Sequence, residues 1–398
     1  MTGPQGESMQ NGTRARWILL TLLLATGCKN FWNVTSTSSC ITNCTTSSGV
    51  FYVLNANAGQ LEIAGYSIFN GNLTALTGSP YTLTSAPYSI AVAPNNSFLY
   101  VGTQTGIYLY TIGTGGVLKL ASTMPVSTDF AAASIKVDAT NSWLLDASGS
   151  GYLYAIPISP SSGTSTGAAQ QLALAGITAH QLAISPDNTN VFVALGTAGT
   201  AMIPFAAASA NPLSASVSAL IPVKGPGGVA ASVAVDPLNR LLYIGETLGT
   251  SSSSNTGGLR AFNYSSLSGT PVEVSGSPFA SGGLTPVSIL PTASGAYVYV
   301  ANSTVSGSSS GNISGFVLST SGTTYALTAL SSTASTGASP AGLAEDSTGA
   351  VVLLVNSGGS PDLDAYTFDT TTAGKLDSVL SSSTGTDPVG AIAIAAAP

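Results

Sequence analysis

The sequence predicts an all-β fold, a seven-bladed β-propeller of four-stranded blades, with the ring closed by pairing of the C-terminal strand with N-terminal strands. The first observation is a short phrase, Tyr-Val-x-Asn or a near relative, that returns seven times. Its copies begin at Tyr52, Tyr100, Leu145, Phe192, Tyr243, Tyr299 and Leu353, every 45 to 56 residues, and a fixed period in that range marks a propeller or another repeat array. Eleven residues before each copy after the first stands a small or polar residue: Ser89, Ser134, Gln181, Ser232, Ser288 and Gly342. The third observation concerns the ends. The first copy lacks a preceding strand and the last strand, Val389 to Ile394, lacks everything after it, so each end supplies what the other misses and no sheet edge is left open.

Within the second period, Tyr88 to Ala93 is the expected inner strand, Asn95-Asn96 a turn, Phe98 to Gly102 the second strand, Gly106 to Ile112 the third and Gly116 to Ala121 the fourth. Third strands recur at Tyr152 to Ile156, Leu259 to Phe262, Ile313 to Phe316 and Leu363 to Tyr366, apolar residues alternating with small or polar ones as in a half-buried strand. A sandwich lacks such a long super-period and a β-helix has a much shorter one.

Three segments are expected: 1–28, 29–48 and 49–398. In the first, Arg14 and Arg16 precede the short apolar run Trp17 to Ala25, and Ala25-Thr26-Gly27-Cys28 has the form of a lipobox. That run is about half the roughly 20 residues a spanning helix needs. The segment therefore reads as a lipoprotein signal with Cys28 as the lipidation site, an ordinary secretory signal being the alternative, and Met9 is an alternative start. Residues 29–48 read as a Ser/Thr/Asn-rich tether. In an oxidising compartment Cys40 and Cys44 would close a small disulfide or remain two thiols on that tether. The expected location is the bacterial cell envelope, lipid-anchored, or alternatively secreted. The expected partners are the membrane, through the lipid, and an unknown small molecule, glycan or envelope protein, with the protein a monomer.

Only 6% of residues are charged and the net charge is −7, against roughly 25% charged in ordinary soluble proteins. A basic stripe for nucleic acid is absent, and acids and bases for catalysis are scarce. No P-loop, dinucleotide fingerprint or Cys/His zinc spacing occurs, and Gly307 to Gly311 lacks the strand-to-helix turn of a nucleophile elbow. No cofactor is expected, a divalent metal being left open.

Two stretches carry a family resemblance: Gly78-Ser79-Pro80-Tyr81 leading through Pro87-Tyr88-Ser89-Ile90 to Tyr100-Val101, and Gly276-Ser277-Pro278-Phe279 leading through Pro286-Val287-Ser288-Ile289 to Tyr299-Val300-Ala301-Asn302. Residues 49–398 resemble the seven-bladed lactonase-type propellers and the related Tyr-Val-Thr-Asn repeat proteins. The resemblance implies a ring whose central mouth opens a lactone in members such as 6-phosphogluconolactonase. The repeated motifs are packing and turn residues, and fold does not imply function. A phosphorylated substrate also wants Arg or Lys clamps, whereas the mature chain offers only Lys29, Lys119, Lys136, Lys224, Arg240, Arg260 and Lys375.

Propeller sites gather where one blade crosses to the next and after each second strand. The crossover positions include Tyr88, Asp129, His180, Lys224 and Asp387; the second-strand positions include Asn55, Gln104, Asp146, Glu246, Asn302 and Asn356. His180, the sole histidine, titrates near neutrality and suits a general base. Glu246 stands where other copies have Asn, and could activate water or join His180 and Asp129 on a metal. These two are the candidate catalytic residues; Tyr88, Gln104, Asp129, Asp146, Asn302 and Asn356 are the candidate ligand-binding set. Asn and Asp also serve as turn caps, the expected role of Asp138, Asp187, Asp236 and Asp346 in the turns between first and second strands. The main expectation is a binding module that uses its mouth and rim loops, the alternative a hydrolase of a neutral lactone with Glu246 or His180 activating water.

Overall fold

The computed structural model describes residues 49–398 apart from 58, 70–71, 130, 176, 249–255, 267–270, 360 and 382–389. The expected signal segment and tether, and with them Cys28, Cys40 and Cys44, lie outside the described residues, as does Asp387. Sheet I contains Gly49–Asn57, Gln60–Phe69, Asn72–Ala75 and Tyr81–Thr82 together with Ala391–Ala396. Sheet II contains Pro87–Val92, Phe98–Thr103, Gly106–Ile112 and Leu118–Leu120; sheet III contains Ala132–Val137, Trp143–Ser148, Tyr152–Pro157 and Gln170–Ala173. Sheet IV contains Gln181–Ile184, Asn190–Ala194, Thr200–Pro204 and Ala219–Ile221; sheet V contains Val229–Val235, Leu241–Leu248, Thr256–Asn263 and Phe279–Ala280. Sheet VI contains Pro286–Pro291, Tyr297–Asn302, Ser310–Ser321, Thr324–Ala329, Ala334–Glu345, Val351–Gly359, Leu363–Phe368 and Leu376–Ser381.

The architecture is an all-β propeller, but the expectation of seven four-stranded blades is corrected. Among the described residues the backbone hydrogen bonds form six sheets: four of four strands, one of five and one of eight. The cause lies in strand Ser310–Ser321. Its C-terminal half pairs with Thr324–Ala329 and its N-terminal half with Ala334–Glu345, through Asn312↔Ser335 and Ile313↔Ala334. One edge therefore serves two neighbours, which fuses two sequence periods into sheet VI. In sheet I, Tyr81–Thr82 adds a fifth strand by pairing with Gln60–Phe69 beyond Asn72–Ala75. The two ends of the described chain meet in the same sheet, with Phe51↔Ala396 through Leu54↔Ala393 in antiparallel register.

The invariant sequence offset is a hairpin register. The six small or polar residues pair as Ser89↔Gly102, Ser134↔Ala147, Gln181↔Ala194, Ser232↔Gly245, Ser288↔Ala301 and Gly342↔Val355. The side chains at this position then reach sideways to the next inner strand. Ser89 Oγ donates to Ala132 O at 2.6 Å, Ser232 Oγ donates to Pro286 O at 2.8 Å, and Ser134 Oγ accepts from Leu182 N at 3.1 Å. Gln181 Oε1 accepts from Val233 N at 2.8 Å and Ser288 Oγ from Leu343 N at 3.1 Å. The inner strands Pro87–Val92, Ala132–Val137, Gln181–Ile184, Val229–Val235, Pro286–Pro291, Ala334–Glu345 and Ala391–Ala396 each touch the next, and the last touches the first.

A second belt lies further out. Tyr52, Tyr100 and Tyr299 donate their hydroxyls to Gly116 O, Gly163 O and Gly374 O, each at 2.7 Å, and Trp143 Nε1 donates to Ala207 O at 2.8 Å. In these three copies the tyrosine of the repeated phrase supplies apolar burial at its ring and a buried hydrogen bond at its tip, whereas the buried Tyr243 hydroxyl finds no partner among the described residues. Gly163 sits at φ +71 and Gly374 at φ +76, and a Cβ at either would collide with an aromatic ring, Phe98 and Tyr297 respectively. The Gly-Ser-Pro stretches also act locally: Ser79 Oγ accepts from Gly65 N at 2.9 Å and Ser277 Oγ from Ala261 N at 3.2 Å.

Tyr100→Phe should lower unfolding stability by about 1–2 kcal/mol, because it strands the buried Gly163 carbonyl without removing the ring. Gly163→Val should cost more, since it adds a collision at a left-handed backbone position. Urea denaturation of both variants checks the order; equal stability of all three proteins would contradict the role given to the belt.

Candidate functional site

Asp146 occupies the second position of the repeated phrase. The equivalent residues Val53, Val101, Val193, Ile244, Val300 and Leu354 are buried aliphatics, and Asp146 is buried to the same degree, at 0% exposure. Strand Trp143–Ser148 fixes its direction: Asp146 pairs with Ile135 on one side and Tyr154 on the other. Its neighbour Asp129, half-buried, lies in the crossover before Ala132–Val137. The two carboxyls face each other within hydrogen-bond reach. Neither oxygen of Asp146, nor Oδ2 of Asp129, receives an N–H or O–H donor from any other group. An ionised Asp146 would face the charge of Asp129 with no donor on either of its oxygens, so its own proton satisfies it. Burial first, then the charge of Asp129 and the hydrogen bond to it, push the Asp146 carboxyl well above the usual range.

Around the pair stand polar groups with capacity to spare. Burial and then the charge of Asp129 push the Tyr154 phenol up, so it keeps its proton, and its hydroxyl accepts from Gln171 Nε2 at 3.1 Å. Ser148 and Ser150 join Oγ to Oγ at 2.6 Å. The loop that carries the exposed Gln104 is tied to the crossover preceding Asp129 by the Ile107–Ser127 bridge. Asp129, Asp146 and Gln104 therefore belong to one patch of the rim between sheets II and III. Such a pair of acids, one held protonated by burial, is equipped for acid–base work.

His180 and Glu246 lie near one another along another part of the rim. The exposed His180 sits over Gly196, whose backbone is doubly hydrogen-bonded to Ala230, and Ala230 is the cross-strand partner of Glu246. Glu246 itself is fully buried and its carboxylate is taken up on both oxygens. Oε1 accepts from Lys224 N at 2.5 Å and Oε2 from Arg260 Nη1 at 3.1 Å. Arg260 continues to Glu273 through Nε at 2.9 Å, Lys224 Nζ reaches Glu273 at 2.8 Å, and the guanidinium lies 4.8 Å above the Phe262 ring. Burial opposes ionisation of Glu273, but the bonds from Arg260, Lys224 and Ser277 outweigh it and hold its carboxyl below the usual range. Two cations and two carboxylates close on themselves here, and Glu246, bonded on both oxygens and fully buried, is not open to solvent water.

The remaining candidates divide by exposure. Tyr88 is 41% exposed and Gln104 is exposed. Asn302 is buried and saturated, donating to Ser281 O and Asn312 Oδ1 at 2.7 Å each and accepting from Ser281 Oγ at 2.6 Å. Asn356 is buried and donates to Pro361 O and Asp364 Oδ2. Asn356 caps the loop that follows its strand, whereas Asn302 ties its strand to the crossover at Ser281 and to the next strand at Asn312. Asp138, Asp236 and Asp346 accept backbone N–H bonds within their own turns, as their turn positions lead one to expect. Among the described residues no three His, Cys, Asp or Glu side chains gather as a metal-ligand set, so His180, Glu246 and Asp129 do not form the trio considered from sequence. A cleft of about 400 Å³ opens elsewhere, between Ala56-Asn57 and Ser357 to Gly359. Asp362 borders it, its carboxyl raised by burial against an opposing bond from the Gly390 backbone.

Sequence reasoning missed Glu273, Tyr154 and Asp362. Each lies outside the repeated phrase, and only the pairing of strands brings it to its partners.

No protein-family model matches the sequence, and no curated protein matches it. Solved structures do. A candidate 6-phosphogluconolactonase of Bacteroides fragilis superposes with a TM-score of 0.68 at 14% identity, covering 90% of this chain and 100% of that one. The periplasmic gluconolactonase of Pseudomonas aeruginosa gives 0.66 at 16% identity, over 88% of this chain and 99% of that one. The fold is that of the lactonase-like β-propellers. The same ring also underlies hydrazine synthase of Kuenenia stuttgartiensis, at a TM-score of 0.57 and 12% identity over 80% of this chain and 95% of that one, so the lactonase-like fold by itself assigns no chemistry.

Arg260→Met should destabilise the protein by roughly 3–5 kcal/mol, since it leaves the buried Glu246 carboxylate without its counter-charge; adding Glu246→Gln should recover part of that loss in urea denaturation. A second prediction concerns pH. Because the folded pKa of Asp146 lies above its unfolded value, near 4, its contribution is fully present below that value and is lost as pH rises. Asp146→Asn does not titrate there, so its stability relative to wild type should increase from pH 4 to pH 7. Parallel urea curves at the two pH values test this, and an unchanged difference would refute it.

Proposed function

We propose that this protein is a hydrolase that opens a neutral lactone, with Asp129 and Asp146 as its acid–base pair. The observation that carries the reading is Asp146: a carboxyl placed where the repeat elsewhere buries Val, Ile or Leu, with another carboxyl as its only hydrogen-bonding neighbour. Exceptions to a packing rule concentrate at functional sites. The likeness to a periplasmic gluconolactonase and to candidate 6-phosphogluconolactonases supports lactone chemistry over a purely binding role.

In this mechanism the partly accessible Asp129 carboxylate takes a proton from water as the water oxygen attacks the lactone carbonyl. Asp146 holds the shared proton and aims Asp129 by hydrogen bonding to it. The Tyr154 hydroxyl, kept protonated, donates to the oxyanion that develops. As the tetrahedral intermediate collapses, the ring C–O bond breaks and the proton on Asp129 passes to the leaving alkoxide, giving a hydroxy acid and restoring the pair. A neutral substrate suits the site, because a phosphate would meet two acidic residues. The envelope location and the lipid on Cys28 belong to the same proposal; the periplasmic neighbour supports the former.

Turnover of a panel of neutral and phosphorylated aldonolactones tests the assignment. Asp129→Asn should lower kcat/KM by at least about 10²-fold, in the range expected for loss of a general base, and Asp146→Asn should lower it with a shifted pH profile. His180→Ala should retain activity within about threefold, which separates the two regions of the rim. Absence of turnover on every substrate would overturn the hydrolase reading. Loss in His180→Ala with activity kept in Asp129→Asn would move the site to His180.

A further inference from the structure

The acid pair stands at one end of a polar row that crosses sheet III. Ile135 pairs with Asp146, Asp146 with Tyr154 and Tyr154 with Gln171, strand by strand from the inner edge to the outer. Directly paired residues of an antiparallel sheet point to the same face, so carboxyl, phenol and amide follow one another along a line. That face is turned toward sheet II, where Ile135 and Tyr154 pack in one cluster with Tyr100 and Leu109. The corresponding row of sheet IV is Leu182, Val193, Ala201 and Leu220, without a polar side chain.

The order within the row sets the direction of one proton. Gln171 Nε2 donates to the Tyr154 hydroxyl at 3.1 Å, and an amide nitrogen cannot accept in return. The phenolic hydrogen therefore points away from Gln171. Across the ladder on its other side stands Asp146, with Asp129 near enough to act on the phenol and Ser150 Oγ within reach. Ser150 is itself engaged by Ser148, Oγ to Oγ at 2.6 Å. Gln171 thus fills the accepting side of the hydroxyl and leaves its hydrogen for the side of the acid pair, where the lactone carbonyl is attacked.

We propose that Gln171 is a positioning residue, which orients the Tyr154 hydroxyl as a donor to the developing oxyanion without itself touching the substrate. The inference rests on the hydrolase reading and adds to it a residue whose whole effect passes through Tyr154. The Gln171 side chain is exposed on the outermost strand of its sheet, so replacing it should leave the fold intact.

Steady-state kinetics on the aldonolactone that the parent protein turns over best tests this, with Gln171→Met, Gln171→Glu, Tyr154→Phe and the last two combined. Gln171→Met removes the donor and should lower kcat about fivefold, the scale of one hydrogen bond. Gln171→Glu places a carboxylate that accepts the phenolic proton and turns it away from the site. That variant should lower kcat by about 10²-fold, as for loss of an oxyanion donor, with KM within about twofold. In the Tyr154→Phe background the same substitution should change kcat by less than about twofold, because the group it acts through is gone. A new charge acting directly on Asp129, or damage to the fold, would instead lower kcat in both backgrounds. Equal losses in the two backgrounds, or an unchanged kcat in Gln171→Glu, would overturn the positioning role and leave the hydrolase reading in place. Absence of turnover by the parent on every lactone would overturn both.

Discussion

The fold depends on one recurring contact: a short polar side chain on each inner strand that hydrogen-bonds the backbone of the next. Neighbouring sheets face each other with apolar side chains, and hydrophobic contact is not directional. Packing alone would let adjacent sheets slide along one another. The bonds from Ser89, Ser134, Gln181, Ser232 and Ser288 remove that freedom near the axis. The tyrosine hydroxyls remove it again further out. Two belts at different radii fix both position and tilt, which is what a rim site built from several sheets requires.

Charge is used sparingly and nearly always in closed sets. The Glu246–Arg260–Glu273–Lys224 group neutralises itself, and Arg240 is bound to Asp236 at the opposite turn. Against that background the unneutralised acid pair of sheet III stands apart from the structural charges. A chain with so few ionisable residues makes such exceptions easier to recognise, because most other charges have a partner that explains them.

Much of the fold was legible because the repeat encodes register. The offset between Ser89 and the phrase at Tyr100 is the same hairpin alignment in every copy, and a one-residue slip would turn each buried face outward. What could not be read was the division into sheets. The pairing of Ser310–Ser321 with two neighbours depends on how long one strand runs before it bends, and the local sequence carries no mark of that. At the site, Asp146 was visible as a residue in a repeated phrase, but its departure from an aliphatic position became meaningful only once that position was seen to be buried in every other copy. Glu246 illustrates the opposite case. Its type suggested chemistry, while its partner Arg260 comes from the adjacent strand and Glu273 from a loop beyond it, a grouping that spacing does not reveal.

The junction in sheet I imposes an order on assembly. Gly49–Asn57 finds its outer neighbour, Gln60–Phe69, within a few residues, but its inner neighbour is Ala391–Ala396, at the far end of the described chain. During synthesis the intermediate sheets can form hairpin by hairpin from local contacts, whereas the circle stays open until that final segment is available. Closing so long a loop is slow relative to the local steps, so a chain interrupted before residue 391 would hold nearly all of its strands and still expose an apolar edge on each side of the gap.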